Sequence, residues 1–167
     1  HPLIKQLLKE ADGTFHHSMR VANMAELAAE EIGANSLLVK VAGYFHDVGK
    51  LKNPHFFIEN QKGFNPHTEI SPEKSAAIIK EHVDESVKLA RLYGLPLEVI
   101  DIIQSHHGDS FIEYFYDKAM KNKKEEEVID KDVFRYQKPK PRTKEESILL
   151  LSDSVEAFSR TINNKET

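Results

Sequence analysis

The stretch Gly43-Tyr44-Phe45-His46-Asp47-Val48-Gly49-Lys50 places a histidine directly before an aspartate, at the end of an apolar run. The run from Leu37 to Phe45 is typical of a buried helix, so His46 and Asp47 fall on its last turn. Imidazole nitrogen and carboxylate oxygen both bind divalent first-row metals, and here both can turn to one point. The pair indicates a metal site if the chain supplies more ligands, because an isolated His-Asp pair is more often two surface side chains.

The composition is ordinary for one globular domain. Hydrophobic residues make up 40% and charged residues 30% of the 167 residues, enough for a sizeable core. The chain has no cysteine, which excludes disulfides and thiolate ligands, and its net charge of -4 argues against binding to long nucleic acid. No apolar run approaches a membrane span, so we expect no membrane contact by this segment. Because the chain starts at His1 rather than Met, we expect residues 1–167 to be a single domain excised from a longer protein.

Periodicity predicts helices throughout. Apolar spacing and capping residues indicate seven of them, at about 1–11, 14–32, 36–47, 72–93, 97–107, 110–122 and from 144 onward. The predicted caps are Thr14, Ser36, Ser71 and Thr143. We expect residues 51–70 to form a long Asn- and Pro-rich functional loop. No stretch has a useful strand period, so the sequence predicts an all-α fold of about seven helices packed around the candidate site.

Several polar side chains lie where burial would be costly. Asp153 lies in a strongly apolar final helix, which also holds Ile148, Leu149, Leu150, Leu151, Val155, Ala157 and Phe158. Histidines also open, interrupt or close apolar helices, namely His17, His82, His106 and His107. Buried imidazoles and carboxylates need partners, and for any one of them a hydrogen bond or an exposed position is the simpler explanation. With His46 and Asp47 the set comes to seven metal-competent side chains on five helical segments, which one shared site explains better than separate coincidences.

The order of His17, then His46-Asp47, then Asp153 resembles the H…HD…D signature of the HD-domain metal-dependent phosphohydrolases, an all-α superfamily. The three additional histidines resemble those of its two-metal members. Finer matches to the PgpH type are Phe15-His16-His17-Ser18, Glu59-Asn60-Gln61, Asn65-Pro66-His67, Gln104-Ser105-His106-His107-Gly108, Tyr114-Phe115-Tyr116 and Leu151-Ser152-Asp153-Ser154-Val155-Glu156-Ala157. PgpH-type proteins are membrane proteins whose cytosolic HD domain hydrolyses cyclic di-AMP. The Gly-Tyr-Pro motif of relatives that cleave cyclic di-GMP does not follow Gly108.

The resemblance implies a ligand set for two divalent ions. One ion would take His17, His46, Asp47 and Asp153, and the other would take Asp47, His82, His106 and His107. Asp47 would therefore bridge the ions and be catalytic. His16 is the alternative to His17 if the register slips by one residue. Nitrogen and oxygen ligands without thiolate suit iron or manganese, although the residues do not exclude zinc.

The resemblance also implies substrate contacts. Lys50 resembles a lysine that binds the scissile phosphate in two-metal relatives, which makes it a catalytic and substrate-binding candidate; its alternative is a helix-end cation. The other candidate substrate-binding residues are Tyr44, Asn60, Gln61, Asn65 and Arg20, with His67 beside them in the loop. Turn chemistry is the alternative explanation for the loop residues, and an exposed surface charge is the alternative for Arg20.

The function that the resemblance implies is hydrolysis of cyclic di-AMP to linear 5'-pApA by attack of a metal-bridging hydroxide. One alternative is a one-metal HD nucleotidase or triphosphohydrolase, which leaves His82, His106 and His107 unexplained. A second is a non-catalytic module that senses cyclic dinucleotides. The resemblance further implies the cytoplasmic domain of a cell-membrane protein. The oligomeric state is left open.

Overall fold

Seven α-helices form the fold of this computed structural model, which describes residues 1–126 and 128–163, with side chains to 160. The helices are α1 (Pro2–Glu10), α2 (Asp12–Glu31), α3 (Ser36–Phe45), α4 (Pro72–Leu92), α5 (Leu97–Ser105), α6 (Glu113–Asn122) and α7 (Lys144–Asn163). In the described parts of the chain, β structure is limited to one isolated bridge between Phe111 and Arg135. The predicted all-α class with seven helices is confirmed. No helix within these residues is both long enough and apolar enough to span a membrane.

Two apolar clusters hold the helices together. The larger joins α1, α2, α3, α5 and α7 through fully buried side chains, among them Leu3, Leu7, Val21, Val39, Ile100, Ile103 and Leu149. The smaller joins α4, α6 and a 3₁₀ turn at Lys131–Phe134 through Ala76, Phe115, Ala119 and Phe134. Because α4 also packs on α5, it lies between the two clusters.

The break between α1 and α2 lies at Ala11 alone, where φ is -143° and ψ is 60°. Asp12 and Gly13 already belong to α2, so the prediction that Thr14 caps this helix was wrong. Thr14 is buried and its hydroxyl donates to Glu59 Oε1 at 3.1 Å. A Cβ on Gly13 would lie 1.9 Å from the Glu59 carbonyl oxygen. The first turn of α2 therefore serves as the platform on which the long loop packs.

Helix caps otherwise fall at or beside the predicted positions. Asn35, one residue before the predicted Ser36, caps α3 by accepting a bond from the backbone N–H three residues on. Ser71 caps α4 in the same way, as predicted. Thr143 accepts a bond from the Glu146 N–H at the start of α7. At α3 the capping residue is Asn35 instead of Ser36, because the Asn35 side-chain carbonyl accepts the bond from the backbone N–H that the Ser36 hydroxyl was expected to accept.

Residues 51–70 form no α-helix and instead run through short 3₁₀ turns. The turns lie at Val48–Lys52, Pro54–Phe56, Ile58–Asn60 and Pro66–Thr68. This agrees with the predicted irregular loop. Its third turn carries Glu59 and Asn60 back onto α2, because the Asn60 side chain donates to Thr14 Oγ1 at 2.8 Å and accepts from the Thr14 N–H at 3.0 Å.

Only some of the apolar residues of α7 are buried. Ile148 and Leu149 are buried, but Leu151, Val155 and Phe158 are more than half exposed, and Ala157 is exposed too. The apolar composition of this helix therefore does not bury all of its apolar side chains. The helix presents a polar stripe inward instead, made by Ser152, Asp153 and Glu156. Its rotation is therefore governed by the partners of these polar groups rather than by hydrophobicity alone.

Candidate metal centre

The structure brings all seven predicted ligands to one place, from five separate segments. His17 lies in the second turn of α2, and His82 lies midway along α4. His46 and His106 occupy the C-cap positions of α3 and α5, each followed directly by the next ligand of the set. Asp153 reaches in from α7. His16 is exposed and lies 3.3 Å from Asp12, so His17 rather than His16 belongs to the cluster.

The side chains converge at their ligand atoms. His17 Nε2 lies 3.0 Å from Asp153 Oδ1 and 3.3 Å from Asp47 Oδ2. The other oxygen of Asp47 lies 3.2 Å from His82 Nε2, which is 3.3 Å from His106 Nε2. Asp47 therefore has one oxygen toward each half of the cluster. His46 and His107 complete the set, with His46 Nε2 3.3 Å from Asp47 and His107 Nδ1 3.8 Å from Asp153.

Four imidazoles are held at Nδ1, which leaves Nε2 facing the centre. Nδ1 of His46 donates to the carbonyl of Gly43 at 2.8 Å. His82 and His106 make the equivalent bond within their own helices, each at 2.5 Å to the carbonyl three residues earlier. His17 instead uses a carboxylate, Glu156 Oε2. Since an acceptor at Nδ1 fixes the proton there, the lone pair at Nε2 is free for a cation, which is the usual arrangement of metal-ligating histidines.

These donors fit divalent cations. Three groups of ligand atoms lie within 4.8 Å of one another: His17, His46 and Asp153; His82, His106 and His107; and His46, Asp47 and His106. Within the described residues, Nε2 of His17 and of His46 are buried without a hydrogen-bond partner. Buried lone pairs and carboxylates that face each other need a positive charge between them. The cluster is therefore a divalent-metal site by its chemistry.

Protonation follows from the same arrangement. Burial lowers the pKa of His17, but Asp153, Asp47 and Glu156 outweigh it and raise the pKa to about 10. The pKa of His46 likewise rises to about 9, because Asp47 and Asp153 outweigh burial. On the other side of the cluster, burial holds the pKa of His107 down to about 3. Metal binding at His17 and His46 therefore displaces protons that the metal-free cluster retains.

Lys50 is buried beside the cluster. Its Nζ lies 2.7 Å from Asp47 Oδ2 and 2.7 Å from Glu59 Oε1, and 4.9 Å from the centre of the Phe57 ring. Burial lowers the pKa of Lys50, but the two carboxylates outweigh it and hold the pKa well above its usual range. The lysine is a permanent cation at the edge of the ligands rather than a solvent-exposed charge at a helix end.

Of the five other predicted substrate-binding residues, two line a cavity and three make contacts elsewhere. Gln61 and Asn65 line a cavity of about 390 Å³ next to Phe57, together with His67. Arg20 instead directs its guanidinium at Glu156, and Asn60 uses its amide to fasten the loop. Tyr44 packs against the larger apolar cluster. These placements favour the two cavity residues.

The sequence analysis assigned no role to four residues around the site: Glu59, Tyr136, Glu156 and Arg160. Glu156 had a local signal, since it lies one helical turn after Asp153 and so shares its face. Tyr136 stacks on His107 with ring centres 4.3 Å apart. It lies in the irregular segment after α6, where nothing local marks it.

The fold and the converging histidines and aspartates define a metal-dependent HD domain. The HD domain family model matches residues 14–157, and the chain belongs to this family. It is 46% identical over 165 residues to the cyclic-di-AMP phosphodiesterase PgpH of Bacillus subtilis, covering 98% of this chain and 23% of the relative. It is 46% identical over 162 residues to PgpH of Listeria monocytogenes, covering 96% and 22%. The chain thus spans less than a quarter of the length of these curated relatives.

A solved structure agrees with this assignment. The crystal structure of the L. monocytogenes phosphodiesterase PgpH HD domain in complex with cyclic di-AMP superposes with a TM-score of 0.90. It is 46% identical in sequence, and the match covers 96% of this chain and 74% of that one. The resemblance to PgpH-type HD domains found in the sequence is confirmed.

Proposed function

We propose that the chain is the catalytic HD domain of a cyclic-di-AMP phosphodiesterase, cutting the cyclic dinucleotide to linear 5'-pApA with two divalent ions. The observation that carries the proposal is the pair of ligand groups joined by Asp47, one oxygen of which faces each group. The names of the two relatives and the cyclic di-AMP in the Listeria structure support the substrate.

Charge supports an anionic substrate. Two divalent ions less the carboxylates of Asp47 and Asp153 leave a charge of +2, and Lys50 balances Glu59. When bound, such a pair of ions lowers the pKa of water and neutralises charge that develops on the phosphate. Nitrogen and oxygen ligands without sulfur support iron or manganese. A buried site with this excess of positive charge favours a phosphodiester anion over a neutral ligand.

The protein's own residues orient the reaction. Asp47 bridges the two halves of the site, and the Nδ1 bonds of His46, His82 and His106 keep these rings from turning. Lys50, held between Asp47 and Glu59 at 2.7 Å from each, is placed to donate to a non-bridging phosphate oxygen. With its three donors it can bond the phosphate and still keep both carboxylates.

The cavity beside Phe57 suits a purine base. Its walls include Phe56, Tyr114 and His67, and it has room for about 390 Å³. His67 Nε2 donates to the Phe56 carbonyl at 2.8 Å, so its Nδ1 is an acceptor, without a partner among the described residues. Gln61 and Asn65 would supply the remaining polar contacts, while Tyr44, Asn60 and Arg20 stay predictions with less support from their surroundings.

The similarity to PgpH also supports a proposal about the location of this domain in the cell. Because PgpH of B. subtilis is more than four times as long as the matched region, we propose that residues 1–167 form one domain of a longer membrane protein, on its cytoplasmic side. This is a proposal from relatedness and does not rest on the described helices.

Substrate turnover tests the proposal directly. The protein is loaded anaerobically with iron or manganese and assayed with cyclic di-AMP and cyclic di-GMP. We expect cleavage of cyclic di-AMP with clear preference. Equal cleavage of both substrates, or faster cleavage of cyclic di-GMP, would contradict the assignment of cyclic di-AMP as the substrate. The proposed phosphodiester hydrolysis would still stand. Tight binding without turnover in the loaded protein would favour the sensing module instead, and a single bound ion would favour the one-metal nucleotidase.

A further inference from the structure

A closed ring of charged groups borders one side of the metal centre. Going round the ring, its members are Asp47, Lys50, Glu59, Arg160, Glu156 and His17. Lys50 Nζ joins the first two carboxylates, at 2.7 Å from each. On the opposite side, Glu156 Oε2 contacts Nδ1 of His17, whose Nε2 lies 3.3 Å from Asp47 Oδ2. The ring therefore ties the long loop to α2, α3 and α7.

Arg160 is the member of this ring that is open to solvent. Its side chain is 28% exposed, against 11% for Lys50, 7% for Glu59 and 3% for Glu156. Its pairing is also incomplete. Nη2 lies 3.0 Å from Glu156 Oε2, but Nη1 lies 3.7 Å from Glu59 Oε2, and Nε has no acceptor among the described residues.

The charge of Arg160 is not required by its neighbours. Glu156 already accepts two bonds from Arg20, at 2.7 and 2.5 Å, and a third from His17. With Asp47 counted against the metal ions and Lys50 against Glu59, Arg20 and Arg160 bring two positive charges to the single carboxylate of Glu156, which leaves one in excess. Arg160 carries this excess charge where the ring of charged groups meets solvent. Its Nη2 lies 3.4 Å from Nδ1 of the His17 imidazole, one of the proposed metal ligands.

A cyclic dinucleotide carries two phosphates, of which the metal centre would bind the one that is cut. From this ring we propose that Arg160 binds the other phosphate, which makes it a specificity residue for substrates with two phosphates. The inference rests on the proposed function for the identity of the substrate. A guanidinium suits the task because it donates two parallel bonds to a phosphate, and the two terminal nitrogens Nη1 and Nη2 form such a pair.

Nucleotide binding and cyclic di-AMP turnover are measured separately, so that the role of Arg160 and the proposed function can each be contradicted independently. Manganese-loaded wild-type, Arg160→Gln, Arg20→Gln and Arg91→Gln proteins are titrated calorimetrically with 5'-pApA, which has two phosphates, and with AMP, which has one. Arg91 is an exposed arginine in the last turn of α4, and its variant controls for loss of a distant positive charge. Cyclic di-AMP turnover by the wild type forms the second arm.

We expect Arg160→Gln to weaken 5'-pApA binding about 10- to 100-fold, with AMP binding and metal content unchanged within two-fold. Equal losses for both nucleotides would overturn the inference, as would a loss as large in Arg20→Gln, since the second phosphate would then not be read by Arg160 in particular. Wild-type protein that binds neither nucleotide would overturn it as well. If the selective loss appears but cyclic di-AMP is not cut, the inference stands and the proposed function falls.

Discussion

Replacing Glu156 with glutamine tests how the protein prepares His17 as a ligand. The carboxylate receives four donors: His17 Nδ1, two nitrogens of Arg20 and Nη2 of Arg160. The Glu156→Gln side chain has one oxygen and one amino group, so at least one of these donors would face another donor. Arg20 is 53% exposed and can turn to water, which limits the loss of folding stability to about 1 kcal/mol.

The larger effect falls on metal affinity. His17 is buried and cannot find water in place of the carboxylate, so the ring loses the bond that fixes its tautomer. Removing such an outer partner typically lowers metal affinity about 10- to 100-fold, equivalent to about 1.4–2.7 kcal/mol. We therefore expect a large change in metal affinity with a small change in the free energy of unfolding.

Chelator competition measures this directly. Wild-type and variant proteins are loaded with manganese and titrated with a chelator, and urea unfolding of the metal-free forms gives the stability. Glu26→Gln is the matched control, because Glu26 makes one ion pair with Lys40 at 2.6 Å, away from the centre. If Glu156→Gln retains both ions as tightly as the wild type and Glu26→Gln, the reasoning is refuted.

Three further perturbations test other parts of the structure. Asp47→Ala should abolish activity and lower metal content at both sites, and near-normal activity would contradict the bridge. Gly13→Ala should cost about 1–3 kcal/mol in urea unfolding, because its Cβ would lie 1.9 Å from the Glu59 carbonyl; an unchanged midpoint would show that the loop is not packed there. Burial lowers the pKa of His67, so the unfolded chain takes up a proton that the folded chain resists. Its contribution to stability therefore falls as pH drops through about 6.5. His67→Gln, which can still donate to Phe56, should flatten the dependence of unfolding free energy on pH between 7.5 and 5.5; equal slopes would contradict it.

The ligands could be predicted because each one contradicts its local environment. His82 among isoleucines and Asp153 in an apolar helix are costly to bury without partners, and His46-Asp47 lies where a helix ends. These signals are local, and a shared site is the simplest way to satisfy them. The resemblance to HD domains supplied their grouping into two sets, which stays a prediction.

Contacts between side chains that are far apart in the sequence could not be predicted from local signals. Glu156 and His17 are 139 residues apart, and only the packing of α7 against α2 brings them together. The rotation of α7 also decides that Leu151 faces outward, although its hydrophobicity favours the core. Thr14 was predicted as a cap because it follows Asp-Gly, yet the loop that returns with Glu59 gives its hydroxyl a different partner.

Anomalous diffraction from crystals of the manganese-loaded protein tests the central claim most directly, because it locates and counts the ions in each chain. The account predicts two ions per chain, one bound by His17 and Asp153 and the other by His82 and His106, with one oxygen of Asp47 on each. A single ion with His82, His106 and His107 left without metal would contradict it.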